Sequence, residues 1–351
     1  MNHQYIDRRT RQVCNERLYG DLFVRALYSS SIERPNLVTS AASSQLTSNM
    51  LSMLSYNTLM AGKWTGLFKF VRECGIDLTE CVDALETLDT AKKVFERQIR
   101  FWDFRPMPDD PSSAVCPVDA RVIIGSLRET SSVFIKEKFF DFEELLGADR
   151  ANWLEAFANG DFAIFRLTPE KYHYVHVPAA GKVLDFYEID GRYHSCNPQV
   201  TVSLMTPYSK NRRVVTIVQT DSAGGSHIGL VAIIEVVALM VGRVVQRYSD
   251  DRYELPRPIL PDLFLKRGQP KSLFLPGSST VILLFQEGRV EFAADLIANR
   301  FRHDVTSRFS LGFNQSIVET DVAVRSLLAS PKTKREKHDE FHFPDGPYRA
   351  L

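Results

Sequence analysis

Three short stretches hold residues whose types and spacing could do chemistry. In Tyr172-His173-Tyr174-Val175-His176-Val177-Pro178, two histidines stand three apart ahead of a proline that keeps the chain extended. An imidazole titrates close to neutral pH, so either ring could act as a general acid or base. Cys116-Pro117-Val118-Asp119 sets a carboxylate just before a β-branched run, and Pro276-Gly277-Ser278-Ser279-Thr280 sets hydroxyls directly before Val281-Ile282-Leu283-Leu284-Phe285. An acid, a base and a hydroxyl are the ingredients of nucleophilic catalysis. Each stretch alone also has an ordinary reading: two packed or surface histidines, an Asx-turn at Asp119, a plain turn at Gly277-Ser278-Ser279. A metal site is not expected, because His3, His194, His227, His303, His338 and His342 supply no further ligand at H-E-x-x-H or comparable spacing.

These groups need elements to position them. Residues 17–100 are predicted to be helical. Trp64, Leu67, Phe68 and Val71 follow one helix face, Gly75 sits where a left-handed residue would end it, and Asp77 with Glu80 has the form of a capping box. Leu46, Met50 and Leu54 suggest another helix, and Leu18, Leu22, Phe23, Ala26 and Leu27 a further one; such faces pack in a core or lie on a membrane. From Arg105 the texture changes, with Pro106, Pro108 and Pro111 forming a linker-like stretch. Strands are predicted over 122–124, 183–187, 214–219, 230–245 and 281–285, and helices over 142–146 and 293–302. The charged tail from Ser330 has no periodicity and is expected to be mobile.

Composition narrows the class of molecule. The chain has 351 residues, 44% of them hydrophobic, with 43 basic and 43 acidic side chains. It is long enough for one large domain or two small ones, and zero net charge argues against a nucleic-acid binder. Cys14, Cys74, Cys81, Cys116 and Cys196 are odd in number and form no C-x-x-C pair, which fits a reducing compartment. Charges near the start leave no place for a secretion signal, so a cytoplasmic location is expected. The longest apolar run, 229–242, is shorter than the roughly 20 residues a bilayer demands and carries Glu235 at its centre. It reads as a buried strand pair.

The order of the motifs resembles the phosphatidylserine decarboxylase family, whose pyruvoyl-dependent members make phosphatidylethanolamine. The likeness runs through Leu18-Tyr19-Gly20, Gly75-Ile76-Asp77, Lys93-Val94-Phe95-Glu96-Arg97, Arg105-Pro106 and Cys116-Pro117-Val118-Asp119. It continues in Leu145-Leu146-Gly147, Gly160, Arg166-Leu167-Thr168-Pro169, Tyr172-His173, His176, Pro178, Gly181, Asn197-Pro198 and Asn211-Arg212. The resemblance implies an α+β fold: an N-terminal helical region (1–104) with membrane-surface contact, a β-rich domain of packed antiparallel sheets (105–329), and a mobile tail (330–351). It also implies that Asp119, His176 and Ser279 act as a hydrolase-like triad in which the serine converts itself to a covalent pyruvoyl group. That ketone would condense with a substrate amine and draw electrons from the carbon that loses carbon dioxide. His173 is then the candidate for returning a proton to that carbon. Ser278 is the rival position for processing, because Gly277-Ser278 keeps the glycine that normally precedes the reactive serine, whereas counting back from Phe285 selects Ser279. Further implied are a phospholipid substrate at a membrane surface, a homodimer, and two cleaved chains that stay together, with no nucleic acid.

The sequence departs from the family pattern at Ala120, Tyr174 and Pro270, where glycine, arginine and glutamate are usual. A phenol suits phosphate less well than a guanidinium, so a different head group is one consequence. Decarboxylation of a soluble amino acid and a non-cleaving scaffold relative are the competing readings.

Overall fold

The structure is a computed structural model. It describes residues 3–16, 71–72, 75–128, 139–203, 206–238, 243–277, 279–313 and 315–332. In chain order the strands are β1 (Gln4–Asp7), β2 (Val13–Asn15), β3 (Ala114–Val115), β4 (Ala120–Ser126), β5 (Asp161–Leu167), β6 (Tyr174–His176), β7 (Gly181–Ile189) and β8 (Arg213–Gln219). They continue as β9 (Leu230–Val237), β10 (Val244–Gln246), β11 (Phe264–Leu265), β12 (Pro270–Phe274), β13 (Ser279–Phe285), β14 (Val290–Phe292), β15 (Thr320–Val322) and β16 (Leu327–Pro331). The helices are short: α1 (Ala91–Phe95), α2 (Phe101–Phe104), α3 (Phe142–Leu146), α4 (Ala151–Phe157), α5 (Pro198–Ser203), α6 (Pro207–Lys210), α7 (Ala294–Arg300) and α8 (Arg308–Phe313).

A ten-stranded sheet in the order β11-β7-β8-β9-β13-β5-β4-β15-β1-β2 forms the centre. Its pairings are antiparallel except β1 with β15. The most apolar segments, Leu-Val-Ala-Ile-Ile-Glu-Val-Val in β9 and Ser-Thr-Val-Ile-Leu-Leu-Phe in β13, occupy the middle, where both faces are covered and alternation with polar residues is not needed. Val281, Leu283 and Phe285 join Val231, Ile233 and Val237 in the core on one face; Ile282 and Leu284 join Ala232, Ile234 and Val236 on the other. A three-stranded sheet, β10-β12-β6, lies over the first face through Val175 and Phe274. Its opposite side gives Tyr174 and Leu273 to a cluster with Ile99, Phe101, Tyr172 and Val324. A third sheet, β14-β16-β3, completes the layer.

The amino-terminal hairpin is fastened by charge. Arg166 of β5 makes bidentate contacts to Glu16 at 2.9 and 2.8 Å and to Glu319 at 2.9 and 2.6 Å, and His3 bonds Glu319 at 2.8 Å. Arg121 pairs with Glu16 as well, and all of these side chains are nearly inaccessible to solvent. Buried charges persist only when paired in this way.

Several expectations are corrected. Gly75 does have a left-handed φ of 66°, and Ile76 N–H reaches back to the Val71 carbonyl at 3.0 Å, as at a helix end. Asp77 and Glu80 are no capping box, however: Asp77 accepts from the amide and hydroxyl of Thr79, while Glu80 pairs with Arg105. Residues 71–72 are helical, and residues 75–104 hold a 3-10 turn (Leu85–Thr87) and the short α1 and α2; most of the expected helical region, 17–70, lies outside the described residues. The faces marked by Leu18, Leu22, Phe23, Leu46, Met50, Leu54, Trp64, Leu67 and Phe68 lie outside the described residues, as does 333–351. Of residues 229–242, expected as a strand pair, 229–238 are described and hold one strand, β9 of the large sheet, while β10 beyond them pairs with β12 in another. Ser330 and Pro331, expected in the tail, pair with Glu291 and Val290. Among the described residues no helix is long and apolar enough to cross a membrane.

Candidate active site

β6 is the element that positions the histidines. It runs antiparallel to β12, placing His176 opposite Pro270 and Tyr174 opposite Leu273, with a bulge between Pro270 and Ser272. Pro270, which has no amide hydrogen to donate, sits at the first position of β12, where that loss is tolerated. The His176 amide donates to the Pro117 carbonyl at 2.7 Å, so the strand also meets the segment that leads into Asp119. The fully buried His176 ring has two partners: Nδ1 lies 2.9 Å from the Gly268 carbonyl and Nε2 lies 2.9 Å from the Tyr172 hydroxyl. Burial drives its pKa down to about 3, with the Gly268 carbonyl and the Asp119 charge opposing the shift, so the imidazole is neutral at physiological pH. A neutral imidazole is the form that can accept a proton.

His173 precedes β6 and stacks on Phe95 of α1 with ring centroids 3.5 Å apart. It is completely buried and neither ring nitrogen makes a well-formed hydrogen bond, although the Lys171 backbone lies near enough to favour the protonated ring. Burial, and next the positive charge of Arg97, hold its pKa well below the usual value. Ser279 opens β13, opposite Leu167 on one side and Val237 on the other. Its hydroxyl is buried without a partner. Gly277, two residues earlier, has φ 146°, a conformation that a side chain disfavours. Ser278 lies outside the described residues. Two short chain paths connect Ser279 to His173: one through Leu167 and the turn after β5, the other through Phe274, whose amide donates to the His173 carbonyl at 3.1 Å.

Asp119 takes a different set of bonds from those expected. Its carboxylate receives Arg105 Nε at 3.0 Å and Nη2 at 2.8 Å, plus the Val324 amide at 2.7 Å. Arg105 holds Glu80 in its other arm at 3.0 and 2.8 Å. Burial would raise the Asp119 pKa, but the Arg105 charge and hydrogen bonds outweigh it and the carboxyl stays below its ordinary range. It therefore makes no Asx-turn, and it does not bond His176; its charge still reaches both imidazoles. The expected hydrogen-bonded line from Asp119 through His176 to Ser279 is thus not formed: both His176 nitrogens are occupied by Tyr172 and Gly268, and the Ser279 hydroxyl bonds nothing. Tyr174, which stands where the family pattern has an arginine, is buried, stacks on Tyr172 and accepts a hydrogen bond from Gln98 Nε2 at 3.3 Å.

Sequence reasoning overlooked two features. Tyr253 hydrogen-bonds Tyr172 at 2.7 Å, and only its position in an unpatterned loop was visible beforehand. Lys271 and Glu235, both fully buried, pair at 2.8 Å, with Gln246 and Ser272 completing the cluster. Glu235 lies opposite Val281 and therefore shares a sheet face with Ser279, two residue pairs along. A charge in the middle of an apolar strand was the signal, since such a group demands a partner. His3, Glu16 and Glu319 gather ligand atoms within 4.8 Å of one another, but Arg166 and Arg121 already balance these carboxylates, which makes a cation there superfluous.

A buried serine at the head of a central strand, two neutral buried histidines and an ionised aspartate thus lie on neighbouring segments, the residue types that nucleophile-and-base chemistry draws on. A family model described as phosphatidylserine decarboxylase matches residues 92–306. Similar curated proteins include phosphatidylserine decarboxylase proenzyme 2 of Oryza sativa subsp. japonica, 31% identical over 84% of this chain and 45% of that protein. The phosphatidylserine decarboxylase proenzyme of Chlamydia felis is 29% identical over 84% of this chain and 92% of its own length. That of Bordetella petrii is 30% identical over 72% of this chain and 88% of its own. The chain spans less than half of the rice relative and nearly all of the bacterial ones. It belongs to the phosphatidylserine decarboxylase family, a family of carboxy-lyases.

Proposed function

We propose that the chain is a self-processing decarboxylase that converts phosphatidylserine to phosphatidylethanolamine and carbon dioxide, using a pyruvoyl group formed in place from Ser279. The observation that carries this reading is the Ser279 hydroxyl, which is buried and unbonded at the start of β13. Leaving such a group unsatisfied costs about 1–3 kcal/mol, and departures of this kind concentrate where chemistry is done. The surroundings suit the group: Gly277 permits a sharp approach to the strand, and His173 adds a second unbonded polar side chain.

In processing, His176 removes the Ser279 proton and the oxygen attacks the carbonyl of residue 278. The peptide C–N bond breaks as the ester C–O bond forms, and the proton passes to the freed nitrogen. Loss of the Ser279 Cα proton then expels the new carboxylate, and water releases the nitrogen as ammonia. The ketone that results supplies the electron sink for decarboxylation. His173 is assigned the proton returned to the substrate carbon, and Asp119 the negative charge that favours a proton arriving on either imidazole. Ser278 is the alternative site of processing. The substrate is met at a membrane surface by the region before Arg105, with Leu22, Phe23, Leu67 and Phe68 among the contacts, and the enzyme works as a homodimer peripheral to a cytoplasmic membrane face.

Conversion of phosphatidylserine in vesicles to phosphatidylethanolamine tests this reading. Wild type is expected to make the product and Ser279→Ala to make none. Release of carbon dioxide from free serine but not from vesicles would replace the lipid by a soluble amino acid.

A further inference from the structure

Arg97 and His173 are buried neighbours, and neither has the partners that burial demands. Arg97 follows α1 and is only 6% exposed. Its Nη1 donates to the Val94 carbonyl at 2.9 Å and its Nη2 to the Glu170 carbonyl at 2.8 Å, while Nε is buried with no partner. A guanidinium has five N–H donors, so three hydrogens are left over. Other buried arginines are better served: Arg105 holds Asp119 and Glu80, and Arg166 holds Glu16 and Glu319. The charges of Asp119 and Glu80 do reach Arg97, but Arg105 has taken both carboxylates, and among the described residues Arg97 forms no ion pair. A buried cation without a carboxylate is rare. Two contacts bring it to His173. Phe95, at the end of α1, stacks on the His173 ring at 3.5 Å, and Glu170, whose carbonyl Arg97 takes, lies three residues before His173 in the turn after β5. Arg97 accordingly acts on His173 more strongly than any other charge does. The turn is at the surface, with Pro169, Glu170 and Lys171 half-buried, so the guanidinium lies just beneath it.

We infer that Arg97 binds the phosphodiester of the substrate and so holds the reacting carbon of the head group at His173. This rests on the proposed function, in which His173 returns a proton to that carbon. In the serine head group only a methylene and an ester oxygen separate that carbon from phosphorus, so one side chain can take the phosphate while its neighbour meets the carbon. A guanidinium fork matches phosphate oxygens bidentately, and Nε with one Nη hydrogen forms such a fork. The substrate carboxylate fits less well. Its charge departs with carbon dioxide, so a cation fixed on it would favour the ground state over the transition state. The phosphodiester keeps its charge throughout, and Arg97 then binds ground state and transition state alike. A free amino acid brings no phosphate, leaves the guanidinium unpaired and is consequently a poor substrate.

Binding and kinetics test it separately. Glycerophosphoethanolamine carries the phosphodiester and the amine but no carboxylate. Titrated into Ser279→Ala, which forms no ketone at that residue, it is expected to bind by phosphorus NMR, and adding Arg97→Gln should weaken binding by roughly tenfold or more, the scale of a charge-assisted contact. No binding, or equal affinity without the guanidinium, would overturn the inference whether or not the wild type cleaves. In the processed enzyme, Arg97→Gln should be cut as completely as wild type, with KM for phosphatidylserine vesicles raised by a similar factor and kcat little changed. Arg97→Lys keeps the charge without the fork and should fall between the two. A merely structural role would lower kcat or the yield of cut protein and leave KM where it was, which would overturn the inference. So would loss of competitive inhibition by free serine, rather than by glycerophosphoethanolamine, in Arg97→Gln, since the guanidinium would then hold the carboxylate. A wild type that never converts phosphatidylserine would instead contradict the proposed function, and the binding titration would still decide the role of Arg97.

Discussion

Burial decides the protonation of the two histidines that flank Val175. Both have pKa values below the roughly 6.5 of an exposed imidazole, His176 at about 3. The unfolded chain therefore binds protons that the folded chain refuses, and stability is complete above about pH 6.5 and declines as pH falls below it. The loss is about 1.4 kcal/mol per pH unit for each group until the folded pKa is reached. Urea unfolding at pH 7 and pH 5 should show the fall, and His173→Phe should lessen it; equal stability at both pH values would mean that these rings take up protons in the folded protein. In processing, His176→Ala should slow cleavage by about 100-fold or more, with Asp119→Asn slowing it too, whereas His173→Ala should leave cleavage intact and suppress decarboxylation. Gel analysis of cleavage beside product assay separates the two roles, and loss of cleavage in His173→Ala alone would exchange them. At this scale residue types and their spacing are legible in the sequence, and their bonds are not. Asp119 reads as a partner for His176 until Arg105, fourteen positions earlier, is seen to hold both of its carboxylate oxygens.

The strands that could be read directly were those whose apolar character has a local cause. Residues 122–124, 183–187, 214–219 and 281–285 all fall inside observed strands, because β-branched runs bounded by glycine and proline carry their own signal. β6 and β15 escaped notice, being three residues each and defined by partners far along the chain. Register was equally hidden, and register is what sets Glu235 on the face of Ser279 and beneath Lys271. That pair joins β9 to β12 across the two sheets. Removing one member, as in Glu235→Ala, should cost about 3–5 kcal/mol by stranding a buried charge, while the double change Glu235→Leu with Lys271→Met should recover most of it. Urea midpoints of the single and double variants decide this. A double variant no more stable than the single one would mean that the cluster is needed for a reason other than charge balance.

Across the whole molecule, processing at Ser279 would cut the chain at the head of the most enclosed strand. β13 is paired with β5 and β9, β15 with β4 and β1, and β16 with β3, all elements that precede the cut. The two chains should consequently migrate together in native gel filtration and part only in denaturant; spontaneous separation would contradict the sheet order. The central claim is that Ser279 is turned into a ketone at a new chain end. The most direct measurement is the mass of the carboxy-terminal fragment of purified wild type before and after borohydride. Processing at Ser279 gives a fragment beginning with pyruvoyl at position 279 that gains two hydrogens on reduction. An uncut chain, or a fragment whose mass borohydride leaves unchanged, would contradict it.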